Sequence, residues 1–284
     1  MFRFDTLSLL LEVINEFYIL LFSWVCMALK NYKEGDFTGI GNFYRRYRKG
    51  YSEEILSLLI NHVGAKPKSN FKFVDVGAGT GIWTRQIAER GFENITAVEP
   101  NDDMRENGIK HCENFEVDFV NGSGEDIPLD DNSVNFVSMA SSFHWTNPEV
   151  SLPEFHRILK SGGHLCLIWN PLLKKGDKLQ EEIENLILSI VPEFKRGSRA
   201  NDNFEEIMKS TGHFDNVLEL RKTEYKNILV KDYIETWRAV NQLQAVAGEE
   251  RFEKVMSEIE NYLDGKEYID VPYLNKCWIG RRVD

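Results

Sequence analysis

The chain has 284 residues, 42% of them hydrophobic and 28% charged, and carries a formal net charge of −11. That is enough apolar material for a buried core without a disulfide or metal staple, in one large domain or one domain with a sizeable insertion. An acidic surface repels phosphate backbones, which argues against nucleic acid as a partner.

The four cysteines, Cys26, Cys112, Cys166 and Cys277, are scattered with no CxxC pair. That argues against a zinc site and fits reduced thiols in a cytoplasmic protein. Near the N-terminus, Phe17–Leu29 is an apolar run shorter than the roughly 20 residues needed to span a bilayer. Leu7, Leu10, Leu11, Ile14, Phe17, Tyr18, Leu21, Trp24 and Val25 recur at helical spacing. This predicts an amphipathic helix packed on the body of the protein or on a second subunit, as in a homodimer. A helix lying on a membrane is the less favoured alternative, because its polar face carries acids rather than Lys or Arg. Residues 1–41 are set apart as this helix and its lead-in, and residues 42–284 as the main domain.

From about residue 70 to 170 strand-like and helix-like segments alternate. Phe71–Val76 is a short apolar strand. Gly81–Arg90 reads as a helix stopped by Gly91. Ile95–Val98 is a second strand, and Asn101–Lys110 a second helix. Phe115, Val117 and Phe119 alternate as a third strand, and Val134–Met139 forms a fourth. Ser151-Leu-Pro-Glu154 has the form of a capping box opening a helix to about Lys160, with Pro153 tolerated only near its start. Ser161-Gly-Gly163 ends that helix, and His164–Trp169 is a fifth strand. The alternation implies parallel βαβ units with both sheet faces covered.

Beyond residue 170 the texture changes. Asp177–Ile190 and Asn203–Ser210 are predicted helices, and Asn216–Tyr225 a strand. Asp232–Gln244 and Glu250–Leu263 are two further amphipathic helices, and Tyr268–Arg281 returns to strand character. The last two strands are thus separated by a helical cap insertion over residues 231–264.

The first strand–helix turn reads Asp75-Val-Gly77-Ala78-Gly79-Thr-Gly81. A dinucleotide fingerprint, GxGxxG, would require glycine where Ile82 stands. Three alternating glycines after an acid instead suit a flat nucleoside brought close to the backbone, without a pyrophosphate to cradle. S-adenosyl-L-methionine is such a ligand. Its ammonium and sulfonium groups also welcome nearby acids. Glu99, followed by Pro100, ends the second strand, where a carboxylate can accept both ribose hydroxyls. The turn Gly122-Ser-Gly124-Glu125-Asp126 follows the third strand, at the same end of the sheet.

With these pieces in place, the chain from about Asn42 onward resembles the class I S-adenosylmethionine-dependent methyltransferases of the type 11 class, and within them the trans-aconitate methyltransferase-like subgroup. The resemblance rests on FYRRYRKGYSEEIL, VDVGAGTGIWT, AVEPNDDM, GSGEDIPLDDNSVNFV, SSFHWTN and FHRILKSGGHLCLIWNP. It implies a Rossmann-like α/β fold, a seven-stranded sheet with the last strand antiparallel, and a cap folding over the cofactor. It also implies that the turn from Gly122 to Asp126 meets the adenine, and that a lead-in segment lies over the cofactor's methionine end, where Tyr47 or Arg48 meets the carboxylate and Tyr44 is a candidate acceptor contact. The product of the cofactor would be S-adenosyl-L-homocysteine.

The loop after the fourth strand, Ser141-Ser-Phe143-His144-Trp145, is placed toward the acceptor. Aromatic faces near a sulfonium are favourable through cation–π attraction. Two readings of His144 stand: a general base or acceptor-positioning group, or a histidine that orients its loop. Phe143 and Trp145 are candidate acceptor contacts that also suit packing. Asn170 is a candidate for the acceptor side, and Trp83 either covers the cofactor or packs. The basic run Arg45-Arg46-Tyr47-Arg48-Lys49, with Lys195, Arg196 and Arg199, suits a small anionic acceptor or a solvated surface. The expected activity is methyl transfer to a small molecule, at an oxygen of a carboxylate or hydroxyl. The alternatives are N- or C-methylation of a lipid or natural product, and a non-catalytic cofactor-binding sensor or assembly protein.

Overall fold

The computed structural model describes residues 49–195, 203–238 and 240–284, together with Gly41 and Arg46. The predicted N-terminal helix, Tyr44, Tyr47, Arg48, Arg196 and Arg199 lie outside the described residues.

In chain order, α1 (Glu53–His62) opens on Ser52, whose hydroxyl accepts from Ile55 N–H, and two acids occupy its first turn. This is a favourable N-cap with charges complementary to the helix dipole. β1 (Phe73–Val76), α2 (Ile82–Glu89), β2 (Ile95–Val98), α3 (Asp102–His111) and β3 (Val117–Val120) follow. Then come β4 (Val134–Ala140), a 3₁₀ turn at Phe143–Trp145, α4 (Pro148–Ile158) and β5 (Leu159–Trp169). The remainder is α5 (Lys178–Ile190), α6 (Phe204–Ser210), β6 (Phe214–Leu229), α7 (Val230–Arg238), α8 (Asn241–Leu263) and β7 (Tyr268–Arg282).

The strands form one seven-stranded sheet in the order β3-β2-β1-β4-β5-β7-β6. Pairings from β3 to β5 are parallel, and β7 runs antiparallel between β5 and β6. Strand order reverses between β1 and β4, which places a crevice at their carboxyl ends. This is the Rossmann-like class I methyltransferase sheet.

Side chains divide by strand alternation. Val74, Val76, Val137, Met139, Leu165 and Leu167 face one side, under Leu152 and Phe155 of α4 and Phe204 and Met208 of α6. Phe73, Phe136, Cys166 and Ile168 face the other, under Ile55, Leu56 and Leu59 of α1 and Trp83 and Ile87 of α2. A third cluster joins α5, α7 and α8 to the far ends of β6 and β7 through Ile183, Ile187, Trp237, Val255, Ile259, Ile269 and Val271.

Several predicted boundaries are corrected. α4 begins at Pro148, not Ser151: Asn147 accepts from Glu149 N–H, and proline sits at the helix start, where its missing donor costs nothing. Pro153 lies inside that helix, beyond the start where the sequence pattern had placed it. Ser161-Gly-Gly163 does not end a helix but bulges within β5, since Val134 pairs with Leu159 and Phe136 with His164. Gly162 supplies the positive φ of 74° that this bulge needs. The helix predicted over Asp232–Gln244 stops at Arg238, and Gly248, at φ 71°, interrupts α8. β6 is longer than its apolar core, because it pairs with β7 from Phe214↔Arg282 to Leu229↔Tyr268. The cap helices pack on α5 and the ribbon ends, and none of their described residues lines the crevice.

Candidate active site

A cavity of about 220 Å³ lies at the carboxyl ends of β1, β2 and β4. Its floor is the turn between β1 and α2. The Gly77 and Ala78 amides both donate to Val98 O, at 2.8 and 3.1 Å, which pins the loop across β2. Gly77, Gly79 and Gly81 all have positive φ (65°, 56° and 72°).

Their neighbours differ. A Cβ at Gly77 would come within 2.7 Å of Ser142 Cβ, and one at Gly81 within 3.0 Å of Cys112 Sγ. Those two glycines let the β4 loop and α3 close in. A Cβ at Gly79 would meet only the Met104 methyl, at 3.4 Å. Gly79 lines the cavity, so the side chain it lacks leaves room there for a ligand.

Glu99 is 7% exposed and lines the same cavity. Its Oε2 accepts from Gly79 N–H at 2.8 Å and its Oε1 from Asn101 N–H at 2.9 Å. Burial raises its pKa, opposed by those two N–H donors. Each oxygen keeps a lone pair, so the carboxylate is fixed as a bidentate acceptor. Asp75 lies beneath the loop, fully buried and outside the cavity lining. Its carboxylate accepts from Thr84 Oγ1 at 2.6 Å and Ser138 Oγ at 3.3 Å. Burial outweighs these bonds and pushes its pKa up to about 7.

Pro100, Ala78, Gly124, Glu125 and Ser141 line the cavity; Gly81, Asp126, Phe143, His144 and Asn170 do not. Asp126 closes the turn after β3 through its backbone, with Ser123 N–H donating to Asp126 O at 3.0 Å. Glu125 accepts from Asn147 N–H at 2.7 Å and ties that turn to the start of α4. Phe143 is 1% exposed and packs edge-on against Phe204, so it is a core residue. The His144 ring lies 4.6 Å from that of Trp145, which is 45% exposed at the cavity rim.

Asn170 acts at a distance. Its Nδ2 donates to Lys49 O and Gly50 O, at 2.8 and 3.0 Å, and so holds the lead-in segment. Lys226 also donates to Gly50 O, Gln86 brackets the Tyr51 backbone, and Asn275 accepts from Ser52 N–H. These bonds deliver Tyr51 to the cavity wall, where its hydroxyl donates to Ser141 Oγ at 2.9 Å. Ser141 itself sits at φ 59°, unusual for a residue with a side chain.

Sequence reasoning missed Tyr51, Thr80, Asn101, Met104, Ser142 and Thr146, all of which line the cavity. Asn101 carried a local signal as the N-cap of α3, accepting from Met104 N–H. Tyr51 carried none. The structure also brings Cys166 and Cys277 within 3.4 Å of each other in the core, as free thiols. Among the described residues no group of three His, Cys, Asp or Glu side chains forms a metal site, and no helix is long and apolar enough to cross a membrane.

The donor set fits S-adenosyl-L-methionine: a glycine floor, a bidentate carboxylate acceptor at the end of β2, a backbone turn after β3 and aromatic walls. Lysine, arginine and histidine are absent from the described lining, as suits a cationic sulfonium.

Residues 74–167 match the methyltransferase domain family model. The chain is similar to an uncharacterized methyltransferase of Mycobacterium tuberculosis (strain ATCC 25618 / H37Rv), at 36% identity over 127 residues, 45% of this chain and 49% of that protein. It is also similar to an uncharacterized methyltransferase of Schizosaccharomyces pombe, at 33% identity over 145 residues, 49% of this chain and 56% of that protein. The chain thus spans about half the length of these curated relatives. In fold it is similar to a solved Anaeromyxobacter dehalogenans protein provisionally described as a type II methyltransferase. The TM-score is 0.61 at 17% identity, covering 83% of this chain and 98% of that one.

Proposed function

We propose that this chain is an S-adenosyl-L-methionine-dependent methyltransferase acting on a small-molecule acceptor at an oxygen, of a carboxylate or a hydroxyl. The observation that carries the reading is the division of labour among the three glycines. Two are required by neighbouring protein atoms, whereas Gly79 opens onto a cavity that Glu99 also faces.

The bound sulfonium supplies an electrophilic methyl group. The protein's part is then to position and to exclude water. Glu99 accepts the ribose hydroxyls while the Gly79 and Asn101 amides hold it still. The turn from Ser123 to Asp126 meets the adenine. Tyr51 and Trp145 wall the cavity, and His144, packed against Trp145, positions the acceptor. An anionic acceptor and the trans-aconitate-like subgroup are the finer form of this proposal. A hydroxyl acceptor needs a base and a carboxylate does not.

The test is Gly79→Val. A side chain there is strained at φ 56° and projects toward the ligand. The expected outcome is loss of S-adenosylhomocysteine binding by calorimetry with circular dichroism unchanged; unaltered affinity would sink the assignment. Transfer of a labelled methyl group to a panel of small acids and alcohols then identifies the acceptor atom. Cofactor binding without transfer to any acceptor would favour a sensor.

A further inference from the structure

β6 forms one edge of the sheet, with β7 on its inner side. It is 16 residues long. From Leu218 to Leu229 its register with β7 is unbroken, and the stretch contains no proline or glycine. Among the described residues no strand pairs with its other side. An edge of this kind presents a row of backbone donors and acceptors to another chain.

The usual protection of such an edge is weakened here. Charged side chains, lysine above all, blunt exposed edges. Lys222 pairs with Glu54 and Glu224 of its own chain, and Lys226 donates to Gly50 O and lies 5.6 Å over the Tyr273 ring. Arg221 donates to both oxygens of Glu219, at 2.6 and 2.9 Å. Beside the strand runs a second cavity, of about 350 Å³, lined by the five consecutive residues from Lys222 to Lys226 with Tyr51 and Glu53. Successive strand residues point to opposite faces, so a cavity that meets all five lies along the edge and not on one face.

The charge pattern names the occupant. A two-fold axis normal to the sheet sets the edges of two copies antiparallel, keeps each face on its own side and brings one residue opposite itself. Centred on Thr223, it brings Lys222 opposite Glu224 of the second copy twice over, Arg221 opposite Tyr225, and Leu218 opposite Ile228. Centred one residue to either side, it sets Lys222 against Lys222 or Glu224 against Glu224. Opposite charges directly across two strands stabilise the pairing and like charges oppose it. Centred on Tyr225, Glu224 meets Lys226, but residues 218–220 drop out of the contact.

We infer that β6 is a homodimer interface, in which two copies join edge to edge from Leu218 to Ile228, centred on Thr223, into one continuous sheet. Tyr51 lines both cavities, so the interface adjoins the candidate active site. The inference does not depend on what that site binds.

Sedimentation velocity on the full chain, over a concentration range of about a hundredfold, reads the oligomeric state. Wild type should sediment as a dimer that dissociates on dilution. Thr223→Lys places like charges face to face at the two-fold centre, and Tyr225→Lys places a cation opposite Arg221. Each should weaken the dimer by about tenfold, and the double variant should be monomeric with an unchanged circular dichroism spectrum. Tyr268→Lys alters an exposed residue of β7, on the same ribbon but off the edge, and should dimerise as wild type. Hydrogen exchange of wild type should show amides of residues 218–228 more protected at high concentration than at low. A wild type that is monomeric throughout overturns the interface, as does a dimer that the folded double variant leaves intact. Equal disruption by Tyr268→Lys would assign the contact to the ribbon's face and overturn edge pairing. Full protection of the β6 amides at every concentration, in a monomer, would show the edge covered within one chain and overturn it too.

Discussion

The two ends of the sheet are built at different scales. β1, β2 and β3 have four residues each, and the turns after them bring Gly79, Glu99 and Ser123 to the cavity. β6 and β7 have 16 and 15 residues and extend beyond the sheet as a ribbon that carries the cap. The first region spends little sequence on structure and presents its strand ends to the cavity. The second buries its own core and gives no described residue to the cavity. The cavity lining and the cap core therefore share no described residue. The cap's link to the site is indirect, through Lys226 and Asn275, which hold the segment that delivers Tyr51.

The largest effect expected tests that separation. Trp237 is 2% exposed in the cap core. Trp237→Ala should cost about 3–5 kcal/mol, as large-to-small core substitutions of aromatics do. Hydrogen exchange should show the loss concentrated in α5, α7 and α8. Affinity for S-adenosylhomocysteine, measured below the melting transition, should change by less than about twofold. A tenfold loss would show that cap and site are one unit.

The same contrast explains what was legible in the sequence. The glycine loop and Glu99 declare themselves because their work is local: the turn requires positive φ, and the acid stands at the end of a strand. The sheet was legible for a similar reason, from short apolar strands spaced by helices. Tyr51 was not, because residues 35, 121 and 176 positions away hold its segment. No local pattern reports such contacts. Ser151 misled for the opposite reason. Its spacing to Glu154 fits a capping box, but Asn147-Pro148 starts the helix first, and Glu154 instead accepts from Ile127 N–H and pairs with Arg157. The cap helices could be read from their periodicity. Their docking onto α5 could not, since an apolar stripe does not name its partner.

Next in size is a pH effect on the glycine-loop side. The folded protein holds Asp75 at a pKa of about 7 against an ordinary 3.8. Between those values the folded state keeps a proton that the unfolded chain has released. Asp75's contribution is thus fully present below about pH 4 and lost as pH rises toward 7, up to about 4 kcal/mol. His164 has the opposite sign. Burial, with His62 and Arg281 adding to it, pushes its pKa down to about 4 from 6.5. Its unfolded form binds the extra proton in that window, so its contribution rises with pH, and its partial exposure makes it the smaller of the two. Asp75→Asn should therefore abolish the fall in urea-derived stability between pH 4 and 7 and expose a shallow rise. A fall that persists would place the titration elsewhere.

The smallest effect belongs to His144, beside Trp145 at the cavity rim. Its ring packs at a tilt against Trp145 and is not part of the lining, which favours positioning over proton transfer in the present arrangement. His144→Ala should then reduce kcat by about tenfold, with S-adenosylhomocysteine affinity unchanged, because a displaced rim residue misaligns the acceptor and not the nucleoside. The pH profile decides the role. A positioning residue lowers the profile without altering its shape, whereas removal of a base also erases the limb on which activity rises with pH. Loss of that limb would move His144 from the rim into the chemistry. It would also require the ring to turn into the cavity when the acceptor binds. An unchanged kcat would leave recognition of the acceptor to Tyr51, Ser141 and Trp145.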